Sequence, residues 1–228
     1  TFVSMRYLAL LLPFSLFSHL IVSAQMKTDT FMEEILESGK DSLMQKVLQQ
    51  KDHYRVQIIY TRIDRDASNK PSFKNFYFNT GDSLYYYPAS TVKLPLAALS
   101  LEKLNRMHLR GVDKFTTIQY DSSYPGQKAL YKDSSSASGL PSIAQFIRKA
   151  FLVSDNDAYN RMYQFVGQQE INRSLHAKGY PLIRIVRQFM RLNEDENRHT
   201  NSVRFLDRTG RTIFTQPPLY NKDSFDFS

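Results

Sequence analysis

The 228-residue chain has no cysteine and no tryptophan, only 8 glycines and 9 prolines, and a modest charge imbalance of 30 Lys and Arg against 22 Asp and Glu. Without cysteine there is no disulfide scaffold, thiolate zinc site, iron–sulfur cluster, cysteine nucleophile or lipid-modified N-terminal cysteine. The low glycine and proline content, with 42% hydrophobic and 13% aromatic residues, excludes a collagenous, low-complexity or disordered chain. Five histidines (His19, His53, His108, His176, His199) show no paired metal spacing, so neither a metal nor a cofactor is expected. No phosphate-cradling glycine loop occurs, and no Gly-x-Ser-x-Gly elbow. The net charge of +8 is spread along the chain, densest from Arg184 to Arg211, with no basic helix or aromatic RNA-binding signature. It therefore reads as solvated surface, and nucleic acid is not an expected partner.

What is present begins with an address. Residues 5–25 run from a start-like Met5 through one basic residue, Arg6, and an apolar stretch to Val22-Ser23-Ala24, the three-part pattern of a secretory signal cleaved after Ala24. Pro13, Ser15, Ser18 and His19 interrupt the stretch, against a membrane-spanning helix of about 20 apolar residues. The expectation is a secreted or periplasmic protein with no stable membrane anchor after cleavage. Residues 1–24 are then upstream sequence plus signal, and 25–228 form one domain.

Helical spacing at Phe31, Ile35, Leu36, Leu43 and Val47 predicts an amphipathic helix over 29–50. Residues 54–63 and 73–78 are rich in β-branched and aromatic residues and read as an antiparallel hairpin about a polar turn at 64–71. From Pro88 an apolar run through Leu104 predicts a buried helix ending near Gly111. Residues 121–142 are a long polar loop, followed by helices at 143–153, 157–165 and 168–176, the last closed by Gly179. Val203–Leu206 and Thr212–Phe214 predict a second hairpin around Asp207-Arg208-Thr209-Gly210. Helix, strands, then more helices is an α+β order.

Two serines precede a lysine by three residues, Ser90 with Lys93 and Ser100 with Lys103. With 23 serines and 14 lysines, chance supplies about one such pair, so context must separate them. Ser100 lies mid-helix among leucines, where its hydroxyl bonds back to the preceding turn. Ser90 lies at a helix start, beside unpaired N–H groups and the positive end of the dipole. Lys93 shares its face one turn on and, if buried, has a lowered pKa and can take the serine proton. The triplet Ser154-Asp155-Asn156 is expected by chance only about 0.07 times. An ordinary cap serine and a capped loop are the plain structural readings of these two strings.

Together, Pro88-Ala89-Ser90-Thr91-Val92-Lys93-Leu94 and Ser154-Asp155-Asn156 resemble the penicillin-recognising serine hydrolases, most of all the class A β-lactamases and their secreted relatives, over roughly residues 30–205. The resemblance implies a helical subdomain beside an antiparallel sheet. It implies Ser90 as acylated nucleophile, Lys93 as its activator, and Ser154 as proton relay to the leaving nitrogen. It makes Asn156 a partner of Lys93 and of the substrate amide, and Asp155 a structural tie of its loop. A deacylating glutamate is sought in residues 191–201, where both Glu194 and Glu196 fit and Glu196 is preferred. A β-lactam or a peptidoglycan-like peptide is the implied small-molecule partner, acting on a monomer.

The family's third signature, Lys-Thr-Gly, is missing. Arg208-Thr209-Gly210 is not accepted in its place, because it follows Ser154 too closely and reads as a hairpin turn. The expectation is therefore a C-terminally truncated domain without its late sheet strands. Two other readings remain: a peptidoglycan DD-peptidase or other serine esterase or amidase, and a non-catalytic binding domain with a decayed site.

Overall fold

A computed structural model describes residues 26–225; the expected signal at 5–24 lies outside them. The described chain forms two compact units, one ending at Tyr87 and one beginning at Pro88.

The first unit holds helices α1 (Thr30–Ser38) and α2 (Ser42–Gln49) and strands β1 (Ile58–Arg65) and β2 (Pro71–Phe78). The single helix predicted over 29–50 is thus two. Gly39 ends the first, and the Asp41 side chain accepts the Met44 N–H at 2.7 Å to start the second, so the cap satisfies one of the N–H groups that the break leaves without a helical partner. The hairpin pairs Ile58 with Phe78 through to Arg65 with Pro71, so its ladder runs two residues deeper into the expected turn. The turn closes over 66–70, where Asp66 Oδ1 accepts the N–H groups of Ser68 and Lys70. The strand does not reach back to Tyr54, since residues 50–55 still form turns and Arg55 is left-handed at φ 52°. Phe31 of α1 packs against Phe76 with ring centres 4.3 Å apart and the rings tilted by 39°, and Met32 and Phe78 are buried.

The second unit opens with a 3-10 turn, Ala89–Val92, running into α3 (Lys93–Met107). The predicted helix had no such division. Pro95 supplies the reason, because it has no N–H to give to residue 91 and so fits only in the first turn of an α-helix. His108, left-handed at φ 47°, ends α3 before Gly111. Strand β3 (Thr117–Asp121) was not anticipated, although Ile118 and Tyr120 alternate with polar neighbours and both are fully buried. The loop over 122–142 is as expected, and α4 (Ile143–Leu152) follows, capped by Ser142.

Helices α5 (Asn156–Val166) and α6 (Gln168–Ala177) meet at Gly167, whose φ of +90° suits a residue without Cβ. A short helix α7 (Glu194–Arg198) precedes β4 (Ser202–Leu206) and β5 (Thr212–Gln216). The three strands form an antiparallel sheet in the order β3-β4-β5. Asp207 Oδ1 accepts the N–H groups of Thr209 and Arg211, and Gly210 has φ +85°, so Arg208-Thr209-Gly210 is a hairpin turn, as its composition indicated. The fold is α+β.

Helix α5 is the axis of this unit. Every residue from Ala158 to Val166 is buried, which an amphipathic surface helix never achieves, and Leu96, Phe146, Tyr163 and Phe205 pack in the same core. Each such side chain removed from water contributes about 1.5–3 kcal/mol. Helix α3 lies parallel to α5: Lys93 at its start touches Ser154 and Asn156, and Lys103 near its end touches Phe165 and Val166. The packing therefore brings both helix starts to one place.

Candidate active site

At that place Lys93 is buried, 3% exposed, beneath the exposed residues Ser90, Ser154 and Asn156. Its ammonium donates to Ser90 Oγ at 3.1 Å, to Ser154 Oγ at 2.8 Å and to Asn156 Oδ1 at 2.8 Å, and it also donates to the Ser154 carbonyl. Ser154 Oγ in turn donates to Ser90 Oγ at 2.9 Å. The three serine and lysine groups thus form a closed triangle, with Asn156 at one corner.

Local sequence explains how each arrives. The 3-10 turn at Ala89–Val92 puts Ser90 three residues before Lys93 on one face. Ala89 is left-handed at φ 45°, which swings the chain into that turn. Ser154 is also left-handed, φ 54°, reversing the chain between the end of α4 and the start of α5. For residues with a Cβ this conformation costs about 1–2 kcal/mol each. Asp155 completes the reversal: its Oδ1 accepts the Ala158 N–H at 2.8 Å, and its other oxygen lies 3.6 Å from Lys149 Nζ.

Burial lowers the Lys93 pKa from its usual value, and the Asp155 carboxylate partly opposes that. The acceptors explain what a neutral amine does here. The Ser154 carbonyl and Asn156 Oδ1 only accept, so they hold two N–H groups. The lone pair of a neutral Lys93 is then left facing the serine hydroxyls. Ser90 has a proton to give and Lys93 a site to receive it.

A feature the sequence reading missed closes one side. The segment 184–189 has no regular structure and is held instead by buried amides. Ile185 N–H donates to Asn172 Oδ1 at 2.8 Å, Gln168 Nε2 donates to the Val186 carbonyl at 2.8 Å, and Phe189 N–H donates to Asn160 Oδ1 at 2.8 Å. This strap sets the Phe189 ring 5.2 Å from Lys93 Nζ and 4.5 Å from the Tyr159 ring. The available signal was a run of Asn and Gln at positions a helix would bury.

The two glutamates, sought as deacylating bases, make contacts within α7 and its cap. Glu196 Oε2 accepts the Asn193 N–H at 2.6 Å while Asn193 Oδ1 accepts the Glu196 N–H at 2.8 Å, a complete capping box on α7. Glu194 pairs with Arg198 at 2.7 Å, with its side chain 79% exposed. Among the described residues neither carboxylate is hydrogen-bonded to Ser90, Lys93, Ser154 or Asn156. The Asn-x-x-Glu pattern of a capping box was visible in the sequence. Ser100, the other serine with a trailing lysine, donates to the Leu96 carbonyl at 2.8 Å inside α3, and Lys103 donates to the carbonyls of Phe165 (2.6 Å) and Val166 (3.2 Å) at the end of α5. No group of three or more acidic or histidine side chains suited to a metal ion occurs among the described residues.

Fold and site together define a class A β-lactamase-like α+β protein. Residues 41–211 match the model of the beta-lactamase enzyme family, and the chain belongs to that family. Membership supports serine hydrolase-type activity in general. No curated protein matches the chain.

Proposed function

We propose that the protein hydrolyses a β-lactam amide through an acyl-Ser90 intermediate. The observation that carries this reading is the triangle of Ser90, Lys93 and Ser154, with its lysine buried and its serines open to solvent. Lys93 takes the Ser90 proton as Ser90 Oγ attacks the lactam carbonyl. The proton then passes through the Ser154 hydroxyl to the leaving nitrogen as the C–N bond breaks. Asn156 keeps Lys93 oriented and offers its amide N–H to the substrate. Water subsequently attacks the Ser90 ester and restores the serine proton. Among the described residues neither Glu194 nor Glu196 is hydrogen-bonded to the triangle, both contacting α7 instead, and we take this release as the slow step of the proposed cycle. A signal at residues 5–24 would export the protein to where cell-wall peptides and their β-lactam mimics occur.

That commitment also favours one second reading, in which the natural substrate is a peptidoglycan-like peptide and a β-lactam merely traps the enzyme. A chromogenic cephalosporin and a fluorescent penicillin test both readings. Turnover by the wild type and none by Ser90→Ala supports hydrolysis, and equal turnover by the two removes Ser90 from the reaction. A penicillin that labels Ser90 and stays bound for hours supports the second reading. No labelling of any kind would indicate a binding domain with a decayed site.

A further inference from the structure

Lys149 lies outside the triangle and belongs to neither signature string. It is in the last turn of α4, and its carbonyl accepts the N–H groups of Val153 (3.1 Å) and Asp155 (3.3 Å), so the backbone of α4 runs directly into the turn that carries Ser154. Its ammonium lies between two carboxylates, 3.5 Å from Asp133 and 3.6 Å from Asp155. Asp133, from the 122–142 loop, is buried at 8% exposure, and its other oxygen accepts the Ser135 N–H at 3.0 Å.

We propose that Lys149 is a positioning residue for the acylation step, holding Asp155 against α4 and offsetting the field of that carboxylate at Lys93. The inference rests on the assignment of Ser90 and Lys93 given above. The physical case concerns charge placement. Asp155 is the carboxylate whose field reaches Lys93, where it favours the ammonium over the free amine. Among the described residues, the other groups in contact with Lys93 are uncharged: Ser90 from the 3-10 turn, Ser154 and Asn156 from the start of α5, and the Phe189 ring from the strap. The next acid on α5, Asp157, faces Arg161 at 3.5 Å. A cation on the far side of Asp155 therefore weakens its negative field at the base, and a second carboxylate, Asp133, draws part of that cation away.

This arrangement makes two opposite demands that a purely structural lysine would not. In Lys149→Met, Asp155 is unscreened and Lys93 holds its proton more tightly. In Asp133→Asn, the ammonium serves Asp155 alone and Lys93 releases its proton more readily. The readout is the titration of Lys93 itself, followed by NMR of 13C-lysine-labelled protein, with the Lys93 signal identified by its loss in Lys93→Met. Alongside it, the rate of Ser90 labelling by fluorescent penicillin is measured across pH. The Lys93 midpoint should rise in Lys149→Met and fall in Asp133→Asn, each by on the order of half a pH unit, with the acid limb of labelling moving the same way. Unmoved midpoints, or movement of both in one direction, overturn the inference. Should Lys149→Met fail to fold by circular dichroism, Asp133→Asn decides alone, and an unmoved or raised midpoint refutes it. Wild type that is never labelled at Ser90 refutes the hydrolase reading instead, and the Lys93 titration still decides the role of Lys149.

Discussion

Lys93 grips Ser154 by two atoms, donating to its hydroxyl at 2.8 Å and also to its main-chain carbonyl. The second contact ties Lys93 to a left-handed backbone position, so the orientation of the Ser154 hydroxyl and the conformation of the turn are held by the same ammonium. Removing the hydroxyl alone should therefore disable chemistry more than structure.

Ser154→Ala is expected to slow labelling of Ser90 by a fluorescent penicillin by about 10²–10⁴-fold, the range of a lost general acid–base group. The Lys93–carbonyl contact remains, so the melting temperature should change little. Stopped-flow labelling and thermal melts on one preparation separate the two effects.

Labelling should need the free amine of Lys93 and so should rise with pH through a pKa below the ordinary lysine value. Asp155→Asn removes the carboxylate that favours the ammonium, while asparagine caps a helix about as well as aspartate. The acid limb of the rate profile should accordingly move to lower pH. A limb that moves upward would contradict the electrostatic account.

Of the two serines followed by lysine, only Ser90 faces solvent. Ser100→Ala should leave penicillin labelling intact and shift stability by about 1 kcal/mol, the size of one net buried hydrogen bond. Mass spectrometry of the labelled peptide reports which serine carries the adduct.

Lys103 provides a test by pH that does not involve the triangle. Burial brings its pKa from 10.5 down to about 8, with Glu170 opposing and Arg106 adding to the fall. Between about pH 8 and 10.5 the unfolded chain then binds the proton that the folded protein has released, so this lysine makes stability rise with pH in that window. Tyr120 and Tyr163, whose pKa values burial raises, act oppositely above pH 10. Urea melts at pH 8.0 and 9.5 should show a gain in the wild type that is smaller in Lys103→Met. Equal slopes would remove Lys103 as the source.

Much of the site was legible because it is written in short strings. Ser90 and Lys93 share one turn of helix, which spacing indicates, whereas the meeting of that turn with Ser154 and Asn156, more than 60 residues on, followed only from the resemblance of the two strings together. The α+β order was likewise readable from changes of period at Pro88 and Ile143. What could not be read depends on partners distant in sequence. Phe189 reaches Lys93 only because Asn160, Asn172 and Gln168 bind an irregular strap, and a buried amide looks like a surface amide until its partner is known. Strand β3 escaped notice for a related reason: five residues carry too little periodicity to stand out, and its identity comes from pairing with β4 at Val203 and Phe205. The break at Gly39 reflects a local contest, since Asp41 as a cap outweighed the apolar spacing that ran through it.

The two left-handed residues beside the triangle differ in how freely they can change. At Ala89 the side chain takes no part in the hydrogen bonding, so glycine there would relieve backbone strain and leave the chemistry in place. At Ser154 the same relief would delete the hydroxyl that bonds Ser90, the one proposed above as the relay, so under that proposal the chain must keep a residue that dislikes its own conformation. Under the proposed mechanism, position 89 is open to drift, whereas at 154 a gain in stability comes only with a loss of activity. Stabilising substitutions selected without an activity screen should accumulate at the second position as readily as at the first, and would there yield a sturdier protein that no longer reacts.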